Sequence, residues 1–305
     1  MASTVSTLVV SWNNRDFLGR CLESLPPKSE IVVIDNASTD GSADFVAETF
    51  PDVRLIRLDA NIGFGPALNL AARAATGDYL LLLNPDAEAT PNSVARLVEF
   101  LDEHVSCGAA AGRLLSMTEI WQRGFNVRRL PTYGSLAAEL LLVKYIWPTN
   151  PLTRRAEAAD VDDTVSRAVE QPTAACLMVR RRVFEQIGGM DERFTPAWFE
   201  DVDFCHRILD AGWTIFFVPR SNFRHIGGQS TSALGVTRQK RMYYANLELY
   251  MAKHHGWFGR MATRSLVVTG MALRAVGSGL SGDGERFRTF GRVFRSALRG
   301  WKTAI

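Results

Sequence analysis

Short apolar runs alternate with helix-spaced stretches along the first third of the chain. Residues 7–10 have strand character, residues 17–25 have helical spacing that ends at Pro26-Pro27, and residues 31–34 are a second apolar run stopped by the turn-rich stretch 35–41. Residues 53–58 predict a third strand, and 66–75 a helix with proline in its first turn. Residues 79–83 are apolar throughout, as expected of a strand covered on both faces. This rhythm predicts an α/β fold, a mostly parallel sheet with right-handed crossovers and helices on both faces. Ligands of such sheets bind beyond the carboxyl ends of the strands. Those ends are Ser11-Trp12-Asn13, Asp35-Asn36, Asn61 and Asn84-Pro85-Asp86, all of them polar.

Further along, residues 174–179 predict a strand, 182–187 a helix stopped by Gly188-Gly189, 200–211 an amphipathic helix ended by Gly212, and 214–218 a strand before Pro219. Residues 239–255, 258–276 and 285–301 are helical in pattern. The stretch 114–170 has the weakest pattern, with an apolar helical segment at 136–147 and a charged loop at 154–169.

The chain has 305 residues, 47% hydrophobic and 22% charged, which excludes disorder, collagen-like repeats and a coiled coil. Its net charge of +3 hides a division: residues 220–305 carry +12 and the remainder −9. A basic tail of that kind is expected to meet something anionic. The four cysteines (Cys21, Cys107, Cys176, Cys205) are far apart, without a C-x-x-C pair, which predicts reduced thiols in a cytosolic protein. The start lacks the basic segment of a signal peptide, and no apolar run approaches the ~20 residues of a spanning helix.

Several residues are candidates for chemistry. Gly63-Phe64-Gly65 has Leu68 where a dinucleotide loop needs its third glycine, and no phosphate loop of the G-x-x-x-x-G-K-[ST] type occurs. Asp86, directly after the most apolar strand, has the chemistry of a Mg²⁺ or Mn²⁺ ligand, or of a turn before Pro91. Asp35 and Asn36 read either as an Asx turn or as partners for a base or ribose. Glu200, Asp201 and Asp203 are favourable at a helix start. Trp198 and Phe199 beside them imply partial desolvation, which raises a carboxyl toward the range useful to a general base. His225, before Gly227-Gly228, has the chemistry of a metal or phosphate contact, or of a plain loop histidine.

Seven segments taken together resemble the family 2 glycosyltransferases, most closely a rhamnosyltransferase-like branch. They are VSWN (10–13), IDNASTDGS (34–42), NIGFGPALN (61–69), LLLNPDAE (81–88), GGMDERF (188–194), FEDVDFCHR (199–207) and HIGGQS (225–230), in order over residues 5–230. The resemblance implies a GT-A fold, a nucleotide-diphosphate sugar donor and inversion at the anomeric carbon. Carried over by motif, Trp12 stacks on the base, Asp35 and Asn36 hydrogen-bond base or ribose, and Asn61 and Asn69 line the nucleotide pocket. Asp86 holds a divalent metal, Mg²⁺ or Mn²⁺, on the diphosphate, and His225 reaches metal or diphosphate. Asp201 is the general base, with Glu200 shaping the acceptor site and Trp198 binding acceptor. Asn84 replaces the first acid of the usual Asp-x-Asp, which leaves one fewer carboxylate for the metal. Thr173-Ala174-Ala175 stands where relatives often have Gly-Ala.

These readings give a catalytic domain over 1–230, with a nucleotide-binding half to about 113 and an acceptor half at 114–230, followed by a helical basic region over 231–305. The expected function is transfer of rhamnose from dTDP-rhamnose to a glycan or polyprenyl-linked glycan in cell-envelope polysaccharide synthesis. A UDP-hexose or UDP-galactofuranose transferase is the alternative within the family, and a nucleotidyltransferase the alternative outside it. Interleaved apolar and basic residues in the tail read either as packing on the catalytic domain or as an interfacial surface for anionic lipid. Nucleic acid fits poorly with the −9 carried by the rest of the chain. The expected place is cytoplasmic, peripheral on the inner face of the cell membrane.

Overall fold

In the computed structural model, which describes residues 3–227 and 235–301, the alternation predicted for the first third is present. It runs β1 (Val5–Ser11), α1 (Arg15–Glu23), β2 (Glu30–Asp35), α2 (Ser42–Thr49), β3 (Arg54–Arg57), α3 (Phe64–Ala74) and β4 (Tyr79–Leu83). The short β5 (Ala87–Ala89), α4 (Ser93–Glu103), β6 (Cys107–Leu115) and β7 (Val127–Arg128) follow. Three short helices, α5 (Tyr133–Leu140), α6 (Val143–Ile146) and α7 (Pro151–Ala156), occupy the stretch of weak pattern. Then come β8 (Arg167–Ala168), β9 (Gln171–Pro172), β10 (Cys176–Arg180), α8 (Arg181–Gln186), α9 (Glu200–Asp210) and β11 (Thr214–His225). Two long helices close the chain, α10 (Val236–Leu280) and α11 (Gly284–Leu298). From Gly228 the HIGGQS motif lies outside the described residues.

The chain divides into two units. The first takes Met1–Arg129, Val161–Pro196 and Glu200–Ser230, and holds a nine-stranded sheet of order β3-β2-β1-β4-β10-β6-β11-β5, with β8 also on β11. β3, β2, β1 and β4 are parallel, as are β6 and β11, while β10 is antiparallel between β4 and β6. All five residues of β4 are buried, each fully buried leucine contributing about 1.5–3 kcal/mol. The four cysteines are buried and in no disulfide.

Strand β11 extends six residues past the expected stop at Pro219. Its register against β6 shifts between Val218 and Asn222, so Pro219 falls in a bulge where no ladder N–H is required. Ser221 pins the bulge by donating from Oγ to the Ser93 carbonyl at 2.8 Å. The strand then pairs with β5, placing His225 opposite Ala87, one residue from Asp86.

The second unit gathers Leu130–Asp160, Ala197–Phe199 and Thr231–Ile305, a discontinuous set where the sequence suggests a linear boundary near 230. Its α10 folds back on itself at Gly256, whose φ of 67° and ψ of −159° are non-helical. The fold-back is visible in Glu248, a buried carboxylate that accepts from Arg260 Nε (3.0 Å), Arg264 Nε (2.9 Å) and Trp301 Nε1 (2.9 Å). Burial opposes ionisation of Glu248, but these donors outweigh it and lower its pKa. Among the described residues no helix is long and apolar enough to cross a membrane.

Gly112, opposite the bulge, has no room for a side chain: a Cβ there would lie 2.6 Å from the Phe223 ring and 2.9 Å from the Ser221 carbonyl. Gly112→Ala is expected to lower stability by about 1–3 kcal/mol through overpacking. Denaturant unfolding measures it, and an unchanged midpoint would show that the bulge yields freely.

Candidate functional site

The loops after β1 and β2 are tied together by Asn13. Its Oδ1 accepts from Thr39 N at 2.8 Å and its N–H donates to Ser38 Oγ at 3.0 Å. Trp12, between β1 and this clamp, is half-buried. Asp35 ends β2 with its Oδ2 accepting from Ser38 N, three residues on, at 3.1 Å. Its Oδ1 is buried and has no partner among the described residues, so it retains acceptor capacity.

The amides of Asn36 and Asn69 are engaged inside the protein. Asn36 Nδ2 donates to Asn61 Oδ1 (3.1 Å) and the Gly63 carbonyl (3.2 Å), while its Oδ1 accepts from Ile62 N (2.9 Å). Asn69 Nδ2 donates to the Met190 carbonyl (2.9 Å) and Glu192 Oε1 (3.0 Å), and its Oδ1 accepts from Met190 N (2.8 Å). The first amide shapes the loop before α3, and the second locks α3 to the 188–194 segment. Asn61 is exposed and holds that same loop by accepting from Gly63 N at 2.9 Å.

Asp86 and His225, 139 residues apart, meet at the end of the sheet with Asp86 Oδ1 3.4 Å from His225 Nε2. Gln122 fixes the ring: its Nε2 donates to the His225 carbonyl (2.6 Å), which turns its Oε1 toward Nδ1 (2.9 Å). Nδ1 must then carry a proton. The Phe125 ring stacks on the imidazole at 5.2 Å, and Asn84 Nδ2 approaches Nε2 at 3.4 Å. Burial alone would raise the Asp86 pKa. The His225 hydrogen bond and charge and the Gly227 N–H (2.9 Å) outweigh it and hold the carboxyl below its ordinary range. An unprotonated Nε2 and a carboxylate oxygen this close repel each other unless a proton or a cation lies between them. The pair thus fits a divalent cation: one hard oxygen and one imidazole nitrogen, oriented through the far side of the ring.

A pair of acids, Glu200 and Asp201, starts α9. Glu200 is buried and its Oε2 has no partner among the described residues. Burial, then the charge of Asp201, pushes its pKa well above the carboxylate range. Burial also raises Asp201, against the opposing effect of the N–H groups of Ala174 (3.4 Å) and Val202 (2.8 Å) and the charge of Arg128. Asp203, by contrast, is bonded to Arg207 Nε at 2.7 Å along its own helix.

Trp198 and Phe199 adopt φ of 73° and 71°, a left-handed conformation that costs bulky residues about 1–3 kcal/mol each. In the second unit this segment is held by Asn246 Nδ2, which donates to the carbonyls of Ala197 (2.9 Å) and Trp198 (3.1 Å), and by packing of the Phe199 ring on Tyr243 at 5.1 Å. Trp198 itself is half-buried there.

The Asp86–His225 and Glu200–Asp201 pairs are joined through Ala174 and Ala175, just before β10. The Ala175 carbonyl accepts from Asn84 N at 3.1 Å, while the Ala174 N–H points to Asp201. Gln122, Phe125 and Asn126 carry no motif and were not legible in the sequence. Asn126 anchors their loop, donating to the Gly112 carbonyl (3.1 Å) and accepting from Leu114 N (2.9 Å) and Trp121 Nε1 (2.9 Å).

A family model described as glycosyl transferase family 2 matches residues 6–161, and one described as glycosyl transferase family group 2 matches residues 161–285. The N-acetylglucosaminyl-diphospho-decaprenol L-rhamnosyltransferase of Mycobacterium tuberculosis is 27% identical over 300 residues, covering 90% of this chain and 95% of that protein. The O-antigen biosynthesis protein RfbC of Myxococcus xanthus is 28% identical over 98% of this chain but only 23% of its own length. Among solved structures, the mannosyltransferase PcManGT from Pyrobaculum calidifontis, in complex with GDP-Man and Mn²⁺, is similar with a TM-score of 0.57 at 17% identity, covering 99% of this chain and 88% of that one. S. aureus TarS 1-349 in complex with UDP-GlcNAc gives 0.55 at 16% identity, over 97% and 92%. At such identities these two likenesses speak to the fold alone.

Glu200, held well above its ordinary range, keeps a proton in the folded state that the unfolded chain releases near pH ~4.3. The wild type therefore loses stability as pH rises above that value. Glu200→Gln is expected to raise Tm at about pH 7, with the gain disappearing near pH ~3, where both states of the wild type are protonated. Thermal melts across pH check it; a gain independent of pH would assign the effect to packing.

Proposed function

Since the chain belongs to glycosyl transferase family 2 and is a glycosyltransferase of GT-A fold, we propose that it moves rhamnose from dTDP-rhamnose, with inversion, to a polyprenyl-linked glycan during cell-envelope polysaccharide synthesis. The near full-length likeness to a rhamnosyltransferase whose name specifies a decaprenol-linked acceptor supports this choice of donor and acceptor. The observation that carries the chemistry is the Ala174–Ala175 link. It joins the Asp86–His225 pair, suited to a diphosphate-bound cation, to Asp201, suited to a base, so leaving group and nucleophile are served from one framework.

In this reading Trp12 stacks on the base and Asp35 Oδ1 accepts from base or ribose, with Asn36 and Asn61 holding the loop beside them. Asp86 and His225 would hold Mg²⁺ or Mn²⁺, which when bound neutralises charge on the departing diphosphate. Asp201, its pKa raised by burial, takes the proton of the acceptor hydroxyl as that oxygen bonds to the anomeric carbon. The bond from that carbon to the phosphate oxygen breaks, and the nucleoside diphosphate leaves with the electron pair. Glu200, kept protonated by burial, donates a hydrogen bond to the acceptor, and Trp198 offers it an aromatic surface. No covalent enzyme intermediate is required. The enzyme works on the cytoplasmic side, peripheral to the anionic face of the cell membrane.

Asp201→Asn is expected to lower the transfer rate by ~10²–10⁴-fold while donor binding stays within a few-fold, because the base is lost and the pocket kept. Single-turnover transfer with donor titration measures both, and a variant that keeps most of its activity would exclude Asp201 as the base.

Removing the partner of His225 Nδ1 should loosen the cation site. Gln122→Met is expected to raise the Mn²⁺ concentration needed for donor binding by about 10–100-fold, and Asp86→Ala to abolish the metal dependence of that binding. Wild-type donor affinity that is the same in EDTA and in Mn²⁺ would overturn the metal assignment.

A further inference from the structure

The second unit carries a formal charge of +10, and its arginines are not evenly spread. Arg288, Arg292 and Arg295 on α11, and Arg299 at its C-cap, recur at i, i+4, i+7 and i+11. At 3.6 residues per turn they fall within about 60° of one helix face, along ~16 Å of its length. All four are exposed, and among the described residues none has an ion-pair partner. The opposite face of α11 is spent on packing, with Val293, Ser296 and Ala297 buried.

Beside the arginine face lies apolar surface. Leu298 and Phe287, on the adjoining side of α11, are exposed. Phe287 leans on the end of α10, where a Cβ at Gly279 would lie 3.5 Å from its ring. That end of α10 presents Leu273, Val276 and Leu280 at i, i+3 and i+7, the last two 61% and 86% exposed. Contiguous apolar side chains in water mark a surface that some partner covers. A guanidinium row bordered by leucine, valine and phenylalanine suits the boundary between lipid headgroups and acyl chains. A nucleic acid would satisfy the arginines but leave the apolar strip wet.

We infer that the arginine face of α11, with Leu273, Val276, Leu280, Phe287 and Leu298 beside it, docks on an anionic bilayer. This rests on the reading that the acceptor is membrane-borne, and gives that reading a specific surface. Lipid phosphates engage the arginines and the apolar strip enters the headgroup layer.

Vesicle sedimentation without donor or acceptor tests the surface by itself. The full chain should bind phosphatidylcholine vesicles doped with phosphatidylglycerol, bind phosphatidylcholine alone far less, and release as salt is raised. With each arginine contributing ~1 kcal/mol, changing all four to glutamine should weaken partitioning by about 10²–10³-fold. The pair Arg292→Gln and Arg295→Gln should weaken it at least tenfold, which keeps the test open should the fourfold variant misfold. Leu280→Ser should weaken binding while keeping its preference for anionic lipid. Transfer to a soluble short-chain acceptor should be the same in all these variants. Equal binding to neutral and anionic vesicles, variants that bind as wild type does, or a preference for a single-stranded oligonucleotide over vesicles would each overturn the surface. Binding as expected without transfer to any polyprenyl-linked acceptor would uphold the surface and sink the functional reading instead.

Discussion

Much of the first unit is arranged so that one histidine faces one aspartate. Gln122 settles the matter by taking both the His225 carbonyl and Nδ1, so that Nε2 can face Asp86 only across a proton or a cation. Three separate parts of the chain must cooperate for this. β11 has to run past Pro219 through a bulge, β4 has to end at Asn84, and the loop carrying Gln122 has to be pinned by Asn126. A buried carboxylate beside an imidazole is expensive unless charge or hydrogen bonds compensate it. Here the His225 contact and the Gly227 N–H supply that compensation, and the pKa of Asp86 falls despite burial.

Glu200 and Asp201 follow the opposite electrostatic logic. Among the described residues neither has an ion-pair partner, burial outweighs the charge of Arg128 on Asp201, and both pKa values rise. The carboxyls of one framework are thereby driven apart, that of Asp86 held ionised and those of Glu200 and Asp201 disposed to hold or take a proton. Such separation is what acid–base work and cation binding each require of a carboxyl. The left-handed backbone at Trp198 and Phe199 is a further cost accepted directly before this pair, offset by the Asn246 hydrogen bonds and by packing of Phe199.

The second unit solves a different problem, that of keeping many arginines near one another. Glu248 absorbs two of them in its buried cluster, which ties the two arms of α10 together and catches Trp301 beyond α11. The arginines of the α11 outer face have no such sink among the described residues. Charge is neutralised where it holds the fold and left open where it faces outward.

The sequence by itself determined the parallel βαβ opening, the polar strand ends and the family, and it marked the acidic residues at 35, 86, 200 and 201 as candidates. These are legible because periodicity and turn chemistry are local, and because a carboxylate after an apolar strand is conspicuous. It did not reveal β6, whose CGAAAGRLL lacks the β-branched residues that mark a strand, nor the continuation of β11, since a proline reads as a stop until a bulge admits it. It also could not separate Asp35, with a free buried oxygen, from Asn36 and Asn69, whose amides are spent on Gly63 and Met190. Those distinctions, like the partnership of Gln122 with His225 and the grouping of residues 130–160 with the C-terminal helices, depend on groups remote in sequence. Hydrogen-bond capacity is allotted through space, and only the tertiary structure decides which polar side chains remain to meet a ligand.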